Sequence, residues 1–128
     1  MSGLEATIVV PGKPVAQGSM VAYGRKVAAS NASSLALFRD RVAIAAKREW
    51  AQDVDRTSSF QVSIEFAFAR PLGHFGKKGL RPSAPKFHVK RPDADKLARS
   101  ILDSLTHIVF NDDSQVSLLI ANKSYAKD

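Results

Sequence analysis

Four aspartates in two short stretches are the residues of this chain best suited to chemistry: Asp93 and Asp95 in Lys90-Arg91-Pro92-Asp93-Ala94-Asp95-Lys96, and Asp112 and Asp113 in Asn111-Asp112-Asp113-Ser114-Gln115. Within a continuous helix, residues two apart diverge by about 200°, so Asp93 and Asp95 could not share a ligand if both were helical. Pro92 changes this. Proline opens or precedes helices, which puts Asp93 at or just before the cap and Asp95 in the first turn, where their carboxylates can converge. The Asn-Asp-Asp-Ser turn, placed just ahead of a strand, can aim a third carboxylate at the same point. Carboxylates gathered in a cleft either raise a proton affinity or recruit a cation. Mg2+ suits them, because it takes oxygen ligands, retains several waters and needs few protein carboxylates; Asp93, Asp95 and Asp113 would supply these, with Asp112 beside them. Either motif alone has a plain structural explanation, acids favouring a helix start or an ordinary turn. Their joint occurrence in a basic chain favours the chemical one.

Asp95, Arg99 and Asp103 follow one another at i+4 and form one stripe of a helix, so Asp103 is expected to orient Arg99. Arg99 is then either a surface ion-pair residue or a guanidinium near the acids, able to stabilise charge developing on a phosphate. His74, His88 and His107 have no partner at a diagnostic spacing. The first two lie in a basic loop and are expected to be solvent-exposed or to contact phosphate, while His107 should meet the C-terminal dipole of a helix.

The acids stand out because the rest of the chain is basic. The 128 residues carry a net charge of +7, with a sequence pI near 10.0. Between 93 and 113 there are five acids and two bases, a local charge of −3, whereas the remainder holds seventeen bases against seven acids, or +10. An acidic patch in a positive body suits metal-assisted chemistry on a polyanion. Nucleic acid is a better partner than a membrane surface, since no segment reads as a long basic amphipathic helix. The absence of cysteine removes disulfides, thiolate zinc sites and a cysteine nucleophile together. Nothing calls for an organic cofactor. No apolar run approaches the roughly 20 residues of a membrane span, and Met1-Ser2-Gly3-Leu4-Glu5 lacks the features of a secretory signal, so the chain is read as cytosolic.

The elements that must position these groups follow from periodicity. Ala6–Val10 is short, β-branched and stopped by Pro11-Gly12, which predicts a first strand. Residues 11 to 32, rich in proline, glycine and basic side chains, read as extended or hairpin-like. Ser33 or Ser34 can cap a helix running to about Trp50, with Leu35, Phe38, Val42, Ala45, Ala46 and Glu49 at spacings of three and four. Phe60–Phe68 alternates large apolar with small or polar residues, a half-buried strand. Residues 70 to 91 hold seven bases and no acid, a loop longer than the roughly 12 to 15 residues usual in compact domains and therefore functional or disordered. Its Phe75 and Phe87 either stack on unpaired bases or anchor the loop. A second helix is predicted from about Asp95 to Thr106, then a last strand in which Val116, Leu118 and Ile120 alternate with Ser117, Leu119 and Ala121. The order strand, helix, strand, helix, strand argues for one α+β domain over residues 1 to 128, a mixed sheet covered by two helices.

Taken together, Pro92-Asp93-Ala94-Asp95-Lys96-Leu97, Ile101-Leu102-Asp103-Ser104-Leu105 and Phe110-Asn111-Asp112-Asp113-Ser114-Gln115-Val116 resemble the RusA family of Holliday-junction resolvases, common in phages and prophages. The match is detailed over about residues 88 to 125; upstream only the element order and the Pro/Gly-rich beginning are similar. The resemblance implies a RusA-like fold and a magnesium-dependent, homodimeric endodeoxyribonuclease that resolves four-way junctions by paired nicks in a bacterial or phage-infected cell. By position, the catalytic and metal-binding acids are Asp93, Asp95 and Asp113, with Asp112 as a supporting neighbour. Lys96 stands where the family often has Asn, and Arg99 where some members have an important Lys; arginine keeps the charge but cannot donate a proton, so only an electrostatic role transfers. The basic loop would contact junction arms through Lys77, Lys78, Arg81, Lys86, Lys90 and Arg91, joined by Lys96. A two-fold pair places two sites on symmetry-related strands, which is what paired cutting requires. Two other readings compete: a dimeric DNA-binding protein without catalysis, and a magnesium nuclease for flaps or other branched DNA.

Overall fold

Why the chain needs its second helix is clear from the strands on either side of it. In the computed structural model, which describes residues 5–17, 20–23, 26–29, 32–50 and 55–127, the strand Phe60–Phe68 pairs in parallel with Val116–Tyr125. Parallel neighbours cannot be joined by a tight hairpin and need a crossover. The helix Ala94–Leu105 lies within that crossover.

Numbered along the chain, the elements are β1 (Met20–Tyr23), β2 (Lys26–Ala29), α1 (Ala32–Glu49), β3 (Phe60–Phe68), β4 (Phe75–Gly76), β5 (Gly79–Leu80), α2 (Ala94–Leu105) and β6 (Val116–Tyr125). β1 and β2 form an antiparallel hairpin, as do β4 and β5. With parallel and antiparallel pairs and two helices this is a small α+β domain, as its sequence predicts. The expected hairpin-like segment falls in β1–β2; Gly18, Gly24 and Arg25 lie outside the described residues.

One core unites the layers. Phe38, Val42 and Ala46 of α1 meet Leu97, Ile101 and Leu105 of α2, Phe66 and Phe68 of β3, and Val109 and Phe110 of the turn after α2. The inward residues of α1 are spaced at threes and fours as expected, except that Glu49 is exposed. Between the helices α2 uses small polar residues: Ser100 and Ser104 are buried and satisfied, Ser104 donating to the Ser100 carbonyl (2.7 Å) and Ser100 to those of Leu97 and Val15 (2.9 and 2.8 Å).

The bond to Val15 bears on the first expectation that fails. Residues 6–10 form no strand. Ile8, Val10, Val15 and Ala16 instead pack against the core as an irregular segment, held to α2 by Ser100 and by the Gln17 amide on the Lys96 carbonyl (3.3 Å). Their β-branched character secures burial, not a ladder, consistent with β propensity measuring packing more than backbone preference. The last strand also differs. It runs to Tyr125, and Leu118, Leu119 and Ile120 are 46, 41 and 52% exposed, where alternation predicts one buried set. Among the described residues β6 pairs only with β3. Leu118 and Ile120 share one face with Gln61 and Ser63 of β3, and both are exposed.

Candidate active site: two acidic stations at opposite ends of a helix

Asp93 is the N-cap of α2, as Pro92 predicts, and Asp95 stands in the first turn. An N-cap aspartate ordinarily accepts a bond from a backbone amide of the first turn. Asp93 makes no such bond. Its carboxylate is half-exposed and makes a distant ion pair to Lys96 (3.8 Å), and Asp95 and Arg99 are exposed. Capping therefore does not account for the acid at 93.

The approach to Asp93 is tied down from β6. Lys123 donates to the carbonyls of Lys90 (2.6 Å) and Pro92 (3.0 Å), using its ammonium to fasten the turn from which α2 starts. The peptide between Arg91 and Pro92 is cis. No sequence signal singled out Lys123, since a lysine in a strand is ordinarily a solvated residue.

The second station is built differently. After α2 the chain reverses at His107, whose φ of 71° is left-handed, and returns through a bridge between Thr106 and Phe110. A single left-handed residue past the C-cap is a common way to end a helix, so His107 serves through its backbone there. Asp112 caps the short 3-10 turn Asp113–Gln115, accepting the Ser114 amide (2.8 Å), while the Gln115 side chain accepts the amides of Asn111 and Asp112 (both 2.9 Å). The bonds from Ser114 to Asp112 hold its carboxyl below the usual aspartate range. Asp113 is exposed and makes none of these bonds. Asp112 caps the turn, and Asp113, whose side chain also meets that of Asp112, faces solvent.

Gln115 also donates to the carbonyls of Arg56 (2.6 Å) and Ser58 (2.8 Å), which sets this turn beside a cleft lined by Lys47, Trp50, Arg56 and Ile108. Arg56 donates through Nε to the Ile108 carbonyl (2.9 Å). Two cations next to an acidic turn escape a reading of the sequence because 47, 56 and 113 are far apart along it.

The two stations do not meet in one chain. The twelve residues of α2 span about 18 Å at the usual rise, with Asp93 at its start and the Asp112 turn just past its end. Among the described residues no group of three or more acids and histidines is placed to hold a metal. The expectation that the Asn-Asp-Asp-Ser turn aims an acid at Asp93 and Asp95 is thus not met within the monomer. Nor does Asp103 orient Arg99: it pairs with Arg39 of α1 (2.9 Å), which also donates to Gln17 (2.8 Å). Helix packing brought a partner from another element to a residue that local spacing assigned to its own.

The basic loop is a folded platform. β4 and β5 place Lys77 and Lys78 at a hairpin tip, closed by Gly79 at φ 100°, a conformation that suits glycine. Arg81 donates Nε to the Phe75 carbonyl (3.0 Å) and so holds the hairpin, while Lys86 lies over the Phe87 ring (5.6 Å) and Arg91 is exposed. His74 and His88 are not solvent-exposed as expected: both pack at Tyr125, and His88 stacks on Phe68 (4.6 Å). Burial, then the charge of Lys123, pushes the His88 pKa down.

No helix is long and apolar enough, among the described residues, to cross a membrane. No solved structure matches the chain. It is 27% identical over 124 residues to the uncharacterized protein YqaN of Bacillus subtilis (strain 168), a relation that covers 93% of this chain and 87% of that protein. Residues 11–128 match the family described as endodeoxyribonuclease RusA, which takes in both acidic stations, the platform and the parallel strand pair. The chain belongs to the RusA endodeoxyribonuclease family.

Proposed function

We infer that this endodeoxyribonuclease is a magnesium-dependent resolvase of four-way DNA junctions whose site is completed across a homodimer. The observation that carries this reading is an exposed acid at each end of α2: Asp93 at its N-cap, making no capping bond, and Asp113 in the turn past its other end. A two-fold axis relating two β6 strands antiparallel would set the Val116 end of one beside the Tyr125 end of the other. Asp93 and Asp95, tied to that end through Lys123, would then face Asp113 of the partner subunit. The exposed Leu118, Leu119 and Ile120 supply an apolar surface for such a contact, and isologous pairing is the commonest way soluble chains assemble.

The donor set consists of oxygens alone, which suits a hard cation; bound there, Mg2+ would polarise a water for in-line attack on a phosphodiester. Asp93, Asp95 and Asp113 would hold it, with Asp112 shaping the turn that presents Asp113. Arg99, one turn along α2 from Asp95, would neutralise charge on the scissile phosphate. Lys47 and Arg56 would grip backbone near one station, and Lys77, Lys78, Lys86, Lys90, Arg91 and Lys96 near the other. Two sites on one two-fold axis act on symmetry-related strands, giving paired nicks.

Incubation with labelled four-way junction, flap, duplex and single strand, with magnesium and then chelator, tests this reading. Junction cleavage abolished by chelator and by Asp93→Asn, with junction binding retained by the variant, is the expected outcome. Tight binding without any cleavage would identify a DNA-binding protein instead, and faster cutting of flaps would move the substrate to other branched DNA.

A further inference from the structure

Of the two loop phenylalanines, Phe75 is half-buried in the β4–β5 hairpin, whereas Phe87 is 67% exposed and Val89 81%. Single exposed apolar side chains are ordinary on a protein surface, but these two project from one short segment at positions two apart. These two are also held firmly. Before them Arg70 donates to the Pro85 carbonyl (2.7 Å) and lies over the Tyr125 ring (4.4 Å); after them Lys123 holds the Lys90 carbonyl (2.6 Å). Between them His88 is turned inward onto Phe68 (4.6 Å) and Tyr125 (5.0 Å). The segment thus has two fixed ends and an inward anchor at its middle, and it presents Phe87 and Val89 only a few residues before Asp93.

The geometry points to Phe87, flanked by Val89, as a stacking platform for an unstacked nucleobase at a DNA branch point. Charge chooses this occupant: the segment 70–91 holds seven bases and no acid, so an apolar ring here is surrounded by phosphate-seeking groups, and Lys86 over the ring (5.6 Å) can swing to a phosphate when a base takes its place. Aromatic stacking tolerates any base, while an intact duplex offers none that is unstacked. Phosphate contacts give affinity for any DNA; Phe87 would supply preference for a branch. The inference rests on the junction-resolving reading above.

The test uses the full chain with calcium in place of magnesium, a four-way junction carrying 2-aminopurine at the branch or within an arm, and matched duplex. Wild-type protein should change the fluorescence at the branch and not in the arm. Phe87→Ala should remove that change and weaken junction binding about tenfold, the scale of one lost stack, while duplex binding stays within about twofold and Phe87→Trp restores both signals. Junction binding and branch fluorescence unchanged in Phe87→Ala, with junction cleavage still present in magnesium, would overturn the stacking role and leave the resolvase reading standing. Equal loss of junction and duplex binding would also overturn it, by making Phe87 a general contact. A wild-type protein that neither prefers nor cuts junctions would overturn both.

Discussion

Two aspartates five residues or fewer from a turn can look alike in sequence and differ in what they are free to do. Asp112 accepts the Ser114 amide and closes a reciprocal cap with Gln115, whereas Asp93 occupies a cap position without using it. Thermal unfolding should separate them: Asp112→Ala lowers the melting temperature, while Asp93→Asn leaves it unchanged and removes cleavage. Because the Asp112 pKa is depressed by folding, its contribution is present above the unfolded value near 3.9 and fades as pH falls through the lower folded value. His88 acts in a higher range with the same sense. Its folded pKa is depressed, so below about 6.5 the unfolded chain takes up a proton that the folded chain resists, and stability falls as the medium is acidified. Melting temperatures measured from pH 7.5 down to 5 should decline, and His88→Phe, which keeps the stack on Phe68, should flatten that decline; an unaltered slope would exclude His88 as its source.

At the scale of elements, what periodicity encodes was legible and what depends on distant partners was not. The strand Phe60–Phe68 was readable to the residue and the second helix to within one, because alternation and spacings of three and four state which side faces a core. The first helix instead starts at Ala32 and takes the expected caps Ser33 and Ser34 into its first turn, since its apolar spacing does not mark where it begins. Ala6–Val10 carried the same apolar signal yet packs without a ladder, since pairing needs a neighbour that local sequence does not specify. Asp103 was misassigned for a similar reason, its partner Arg39 lying on another helix. Lys123 carried no signal at all, and its effect can be measured. Lys123→Met keeps the aliphatic stem but frees the Lys90 and Pro92 carbonyls, so it should cost about 1–3 kcal/mol, the scale of hydrogen bonds from a charged donor, and slow cleavage through Asp93 and Asp95. The end of α2 offers a check on the backbone: His107→Val forces a β-branched residue into a left-handed conformation and should destabilise by about 1–2 kcal/mol in denaturant titrations.

For the whole molecule, the acidic motifs were legible one by one, but the span of α2 between them was not, because spacing along a chain does not report distance across a fold. The parallel pairing of β3 with β6 sets the two stations at opposite ends of one strand, and an antiparallel pair of such strands would bring unlike stations together. Replacing Leu118 and Ile120 by lysine puts charge on the exposed face of β6, and sedimentation should then report a monomer that still binds DNA in a steeply salt-dependent manner and no longer cuts. The most direct measurement mixes two inactive proteins. Asp93→Asn and Asp113→Asn, each without cleavage alone, are allowed to exchange subunits and are given a labelled four-way junction with magnesium. A site shared between subunits leaves every mixed dimer with one intact set of acids, so nicking on one strand should return without paired cutting. If the mixture stays as inactive as its parts although mixed dimers have formed, or if either variant cuts normally by itself, a site completed across the pair by Asp93 and Asp113 is contradicted.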